Sequence, residues 1–151
     1  MTTQTRALKK FQQQFPVCIQ QPVQWGDMDA LRHVNNTVYF RYFENARIAL
    51  MERTGINRLF LSDNIGPVLG HTQCKYLRPL TWPDQITVGT AVSAIHEKRF
   101  SMVYAVFSHQ QQTVAAEGTS EAVYLDMASG ATCAIPDSIR QALTQLRLDI
   151  E

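Results

Sequence analysis

The segment WGDMDALRHVNNTVYFRYFENAR, residues 25–47, decides how this chain folds. From about Thr37 its apolar side chains recur at spacings of three and four, and the pattern continues to Thr54. That spacing places the apolar groups on one face of a helix. We therefore predict a helix from Thr37 to Thr54, with Asn35 or Asn36 capping its start and Gly55 ending it.

Outside this helix the apolar period changes from 3.6 residues to two, which is typical of β-strands. One strand is predicted before the helix, from Val17 to Trp25, with an interruption near Pro22. The four strands predicted after the helix are Val68–Arg78, Gln85–Ile95, Arg99–His109 and Thr113–Asp126. Short linkers between these four favour antiparallel neighbours. A last helix is predicted from Pro136 to Arg147.

This element order predicts an α+β fold, in which a curved antiparallel sheet wraps around one central helix and a further helix ends the chain. All 151 residues are expected to form one domain, with its core within about residues 16–145. In the strand Arg99–His109, Ala105 and Phe107 are apolar on both faces. We expect this end of the strand to be covered on both sides.

Composition excludes several classes of function. With 45% hydrophobic and 18% charged residues the chain is ordinary globular protein. Its 14 Lys and Arg against 13 Asp and Glu provide no basic field for nucleic acid or an anionic membrane. There is no apolar run long enough for a membrane span or a secretion signal. Three distant cysteines, Cys18, Cys74 and Cys133, fit a reducing compartment, so a cytoplasmic location is expected.

Asp27 and Asp29 stand two residues apart where the first strand meets the helix segment. If the strand persisted, both carboxylates would point the same way, whereas a loop would relax that arrangement. Two carboxylates forced together leave one ionised base or nucleophile beside one proton carrier. The alternative is that one aspartate caps a turn and the other is solvated.

The helix begins only about seven residues after this pair. Free N–H groups at a helix start, together with the helix dipole, can bind the oxyanion that forms when a thioester carbonyl is attacked. A carboxylate beside such a site makes an acyl-transfer centre. His33 lies between the two and could position a water, orient the carboxylate or brace the loop. The usual serine-hydrolase, nucleotide-binding and zinc-protease motifs are absent from the sequence.

Residues 25–47 closely resemble the hotdog-fold acyl-CoA thioesterases of the 4-hydroxybenzoyl-CoA thioesterase family. The matching residues are Asp27, Asp29, His33, Val34, Asn35, Asn36, Tyr39, Glu44 and Arg47. The resemblance continues through KYLRPLTWPDQITVGTAV and AAEGTSEAVYLD to IPDSIRQAL. It implies a hotdog fold and hydrolysis of an acyl-CoA to free acid and CoA, with no metal or redox cofactor.

The resemblance also assigns roles. Asp29 would be the catalytic carboxylate, as nucleophile or as base on a water, and the backbone N–H of about Asn36 would polarise the thioester carbonyl. We predict Asp29, Asn36 and His33 as catalytic residues. The predicted substrate-binding residues are Asp27, Arg32, Asn35, Tyr39 and Arg78. Arg32 stands where the family usually has glycine, and an arginine there could meet a phosphate or an acidic acyl group.

Family members are dimers or tetramers whose sheets join edge to edge, with acyl-CoA in a groove between subunits, so a homo-oligomer is expected. Arg78 is a candidate for the CoA phosphates, and so, on charge alone, are Lys75, Lys98 and Arg99. The pocket walls are expected from the Tyr42–Leu50 face and a loop at 57–67. Two alternatives stay open: a non-catalytic acyl-CoA binding or sensing module, and a hotdog hydratase or dehydratase that uses Asp29 and His33.

Overall fold

The computed structural model of the protein describes residues 4–148, and within them a five-stranded antiparallel sheet packs with four helices. The strands are β1 Val17–Pro22, β2 Ile65–Tyr76, β3 Gln85–Ile95, β4 Arg99–Ser108 and β5 Thr113–Asp126. The helices are α1 Arg6–Gln13, α2 Val38–Glu52, α3 Ile56–Asp63 and α4 Asp137–Gln145. The predicted α+β hotdog architecture, a curved sheet around a central helix with a C-terminal helix, is confirmed. No helix in the described part of the chain is long and apolar enough to cross a bilayer.

The strand order is β1-β3-β4-β5-β2, so β2 pairs with β5 and not with β3. The prediction that short links make antiparallel neighbours holds for β3, β4 and β5 but is wrong for β2 and β3. The eight residues between them, 77–84, can span about 26 Å when extended, whereas neighbouring strands are only about 5 Å apart. The connection is therefore long enough to cross the sheet, and β2 becomes an edge strand.

The central helix α2 lies within a residue or two of its prediction at each end. Its buried face packs on the inner side of the sheet, where Phe43 is fully buried and stacks on Tyr104 with ring centroids 4.8 Å apart. Gly118 makes this contact possible, because a Cβ there would overlap the Phe43 ring. Thr37, rather than Asn35 or Asn36, is the N-cap. Gly55 has φ +84° and joins α2 to α3.

Helices α1 and α3 were not predicted. Leu8 and Phe11 of α1 are buried against Ala105 and Phe107 on the outer face of the sheet, which confirms the expected burial of that end of β4 on both sides. In the Lys- and Gln-rich segment of α1 only a few apolar residues indicate a helix, and their side chains become buried only against the folded sheet. Helix α3 replaces most of the loop expected at 57–67.

Candidate active site

The segment between β1 and α2 folds as a narrow hairpin. A single 3-10 turn, Trp25–Asp27, follows β1, and Met28 then pairs with Val34 as an antiparallel bridge. The N–H of Asp29 donates to the carbonyl of His33 at 2.9 Å, and the N–H of Arg32 donates back to the carbonyl of Asp29 at 2.9 Å. These bonds fix a tight turn whose first residue is Asp29.

The Asp29 side chain is exposed, yet both of its oxygens are held. Oδ1 accepts from the backbone N–H of Leu31 at 2.9 Å, and Oδ2 accepts from the side-chain amide of Asn35 at 3.2 Å. Two donors aimed at a carboxylate fix its orientation. The carboxylate is therefore held as a base or nucleophile must be.

Asn35 connects this carboxylate to the start of α2. While its amide nitrogen donates to Asp29, its Oδ1 accepts from the N–H of Thr37 at 3.0 Å and from the Thr37 hydroxyl at 2.6 Å. The N–H of Asn36, the residue between Asn35 and Thr37, meets no acceptor among residues 4–148. A carboxylate and an unused N–H at a helix start are thus tied together by one asparagine.

Asp27 and Asp29 do not share a face. Half-buried Asp27 lines a cavity of about 630 Å³ beside the start of α2, whereas Asp29 lines one of about 590 Å³ with Arg32, Trp25 and Trp82. The shared orientation required that the strand persist, but β1 ends at Pro22, and Asp27 lies in the 3-10 turn whereas Asp29 follows it. The relaxed alternative, a loop, is what the structure shows.

A third cavity, of about 300 Å³, gathers His33, Asn36, Tyr39 and Arg78. The main chain of His33 braces the hairpin, while its ring makes no hydrogen bond to any described residue. Tyr39 is buried, and this burial raises its pKa to about 12. Tyr39 therefore forms part of the cavity wall.

Of the other cations named on charge alone, Arg99 lies 3.8 Å from Glu121, and Lys75 lines a depression on the outer face of the sheet. Neither lies in the three cavities near the hairpin. The expected pocket wall at 57–67 does not line those cavities either. Within residues 4–148, no three His, Cys, Asp or Glu side chains gather as a metal-ligand set would.

Tyr76, at the end of β2, lies in a stretch that resembles the family, but its contact with the hairpin was not predicted. Its hydroxyl donates to the carbonyl of Asn36 at 2.8 Å, and its ring stands perpendicular to that of Tyr39 at 5.0 Å. The two partners are 40 residues apart in sequence. No local pattern signals such a contact, which forms only when β2 reaches the hairpin.

Removing the Tyr76 hydroxyl should loosen the backbone at Asn36. We expect Tyr76→Phe to lower kcat for thioester hydrolysis about five- to tenfold with little change in KM, because one hydrogen bond that orients the helix start is lost. Steady-state kinetics measure both constants. Tyr124→Phe is the matched control, since the buried Tyr124 hydroxyl has no partner in the described residues. An unchanged kcat in Tyr76→Phe would contradict the positioning role.

Arg32 adopts φ +65°, the left-handed region where glycine is unstrained. We expect Arg32→Gly to leave the free energy of unfolding unchanged or to raise it by up to about 1 kcal/mol, because relief of strain offsets the entropy cost of glycine. Urea titration followed by circular dichroism measures this. Arg41→Gly, on the exposed side of α2, should instead cost about 1 kcal/mol. An equal loss in both variants would show that the Arg32 conformation is not strained.

Comparison with known proteins gives concordant findings. Residues 23–143 match the family model described as the thioesterase-like superfamily. The long-chain acyl-CoA thioesterase FadM of Escherichia coli (strain K12) is 23% identical over 119 residues, which are 79% of this chain and 90% of that protein. A thioesterase from Thermus thermophilus, solved with coenzyme A and Zn, is 29% identical with a TM-score of 0.76, covering 88% of this chain and 95% of that one. The PA2801 protein of Pseudomonas aeruginosa is 32% identical with a TM-score of 0.75, covering 85% and 98%.

Proposed function

Because the chain belongs to the thioesterase-like superfamily and is a thioester hydrolase, we propose that its substrate is an acyl-CoA. Hydrolysis gives the free acid and CoA, with Asp29 as the reacting carboxylate. One observation carries the assignment of the centre. Asn35 binds the Asp29 carboxylate and the start of α2 at the same time, and this link supports Asp29 and the unused N–H of Asn36 as parts of one centre.

In the proposed reaction the thioester carbonyl oxygen accepts from the N–H of Asn36, and the positive end of the α2 dipole favours the charge that develops on this oxygen. Asp29 either attacks the carbonyl carbon or removes a proton from the attacking water. The C–S bond then breaks, and CoA leaves as a thiolate that takes up a proton given up by the water. If Asp29 attacked, the acyl group stays on it as a mixed anhydride, and water hydrolyses this anhydride to release the free acid and restore the carboxylate. Asn35 orients Asp29, and Tyr76 orients the backbone of Asn36 through their hydrogen bond.

The proposal includes CoA contacts and self-assembly. Arg78 lies on the rim of the cavity that contains Asn36 and is our candidate for a CoA phosphate. Strand β2 leaves one edge unpaired among the described residues and exposes Val68 and Leu69 there. Such an edge is a template for pairing with a second copy. We expect sedimentation analysis to show a homo-oligomer, and a monomer at assay concentrations would contradict this part of the proposal.

Release of free thiol from short-chain, long-chain and aromatic acyl-CoAs tests the function directly. Turnover of at least one of them is the expected result. An enoyl-CoA in the same panel, followed by loss of its conjugated double bond, tests the hydratase alternative. Tight acyl-CoA binding with no turnover of any substrate would contradict hydrolysis and favour a sensing module.

A further inference from the structure

The hairpin that carries Asp29 exposes large apolar side chains. Leu31 is 79% exposed and Trp25 69%, and Trp82, from the connection between β2 and β3, is 49% exposed. Both tryptophans line the cavity of Asp29. Single exposed apolar residues are ordinary, whereas a group of them beside a functional cavity is typical of an interaction site. Trp25, Leu31 and Trp82, which we call the hairpin patch, therefore form a candidate binding surface.

The position of Leu31 indicates the size of the ligand. Leu31 lies in the turn that the bond from the N–H of Arg32 to the carbonyl of Asp29 closes, and its side chain lines none of the three cavities near the hairpin. A small molecule in the Asp29 cavity could cover the two tryptophans but would leave Leu31 in water. A surface of protein size can cover all three.

Arg32 adds a positive charge at the edge of the hairpin patch. It is exposed and lines the cavity of Asp29, and among residues 4–148 no carboxylate oxygen lies within the 4.0 Å of an ion pair with it. Its backbone is held at φ +65°, and a non-glycine residue kept in that conformation points to a function for its side chain. Tryptophan and arginine are both enriched at the centres of protein interfaces. The composition therefore fits a protein partner with an acidic surface.

Two other occupants fit the hairpin patch less well. A bilayer would bring lipid against the exposed carboxylate of Asp29, which lies in the same cavity as the tryptophans, and burying a charge in lipid is costly. A second copy of the chain has a separate surface available at the free edge of β2. On the hairpin patch it would also cover the cavity that the substrate must enter.

We propose that the hairpin patch docks an acidic carrier protein, which presents the acyl group on a pantetheine arm and places the thioester beside Asp29. A partner on this patch covers the Asp29 cavity, so it must deliver the thioester itself. CoA carries acyl groups on the same kind of arm, so the chemistry is unchanged: water adds to the acyl carbon, the C–S bond breaks, and the carrier keeps its arm as a free thiol. The inference rests on the proposed hydrolysis and extends its substrate class from acyl-CoA to acyl groups carried on a protein.

The test offers octanoyl, dodecanoyl and hexadecanoyl groups both on CoA and on a bacterial acyl carrier protein. We expect the wild type to favour the carrier protein in kcat/KM by about tenfold or more for at least one chain, as burial of one or two large apolar side chains allows. Leu31→Ser should lower this preference about five- to tenfold, because serine keeps the N–H that binds Asp29 and removes the apolar contact.

Two further variants complete the comparison. Leu61→Ser on α3 is the matched control, because Leu61 is 83% exposed and lies outside the hairpin patch, and it should keep the wild-type preference. Arg32→Gln should lower the preference about threefold or more at low ionic strength and less at high ionic strength, because salt screens an exposed charge.

A wild type that favours no carrier-bound chain over its CoA counterpart would overturn the inference and leave hydrolysis intact. So would an undiminished preference in Leu31→Ser. A smaller oligomer in that variant would show that a second copy covers the patch, and loss of its binding to anionic lipid vesicles with an unchanged carrier preference would show a bilayer surface; either result overturns the inference. If no substrate is hydrolysed, the proposed function fails, and calorimetric affinities of wild type and Leu31→Ser for the dodecanoyl carrier protein decide whether the patch is a docking surface.

Discussion

Asp29→Asn should lower kcat for acyl-CoA hydrolysis by at least about a hundredfold, because an amide can neither attack the carbonyl nor take a proton from water. The fold should survive. The new Oδ1 can still accept from the N–H of Leu31, while the contact with Asn35 becomes one between two amide NH₂ groups. That lost bond should cost about 1 kcal/mol of unfolding free energy. Thiol release and urea titration measure the two effects.

Asp63→Asn, at the end of α3, is the matched control and should keep wild-type kcat. The contrast separates loss of the reacting carboxylate from loss of any surface charge. Wild-type kcat in Asp29→Asn would show that another group reacts with the thioester. Asp27 would then be the first candidate, since it lines the neighbouring cavity at the helix start.

Phe43→Ala should have the largest effect on stability, at about 3–5 kcal/mol of unfolding free energy. The side chain is fully buried, stacks on Tyr104 and fills the space over Gly118. Its removal leaves a hole between α2 and the sheet that neither element can close, because each is held by its own backbone hydrogen bonds. Denaturant unfolding monitored by circular dichroism measures the loss.

Phe60→Ala is the matched control for size and chemistry. Phe60 is 44% exposed on α3, so the same truncation there should cost less than about 1.5 kcal/mol. Similar losses in the two variants would mean that Phe43 is not central to the packing of α2 on the sheet. A variant at Phe43 too unstable to purify would be consistent with the prediction but would need Phe43→Leu to give a number.

The candidate site was only partly accessible from sequence. The D-x-D pattern made Asp29 a candidate from its residue type, and the family resemblance added Asn35 and Asn36, which stay near Asp29 because residues close in the chain remain close in space. The contact of Tyr76 with Asn36 and the different cavities of Asp27 and Asp29 were not accessible. They depend on where β2 lies and on a single 3-10 turn, neither of which has a periodic pattern.

The sequence by itself determined the central helix and the spans of β3, β4 and β5 within a residue or two. The reason is that the apolar residues of a buried face recur at the period of the helix or strand that carries them, and this spacing is visible in a short stretch of chain. It also indicated the family, through the residues of the hairpin and central helix and through a resemblance that continues to IPDSIRQAL. Only the tertiary structure decided that β2 joins β5, that α1 covers Ala105 and Phe107, and that Arg47 reaches the cavity of Asp27. These arrangements join segments far apart in the chain, and their stability comes from burial that exists only once the sheet has curved around α2.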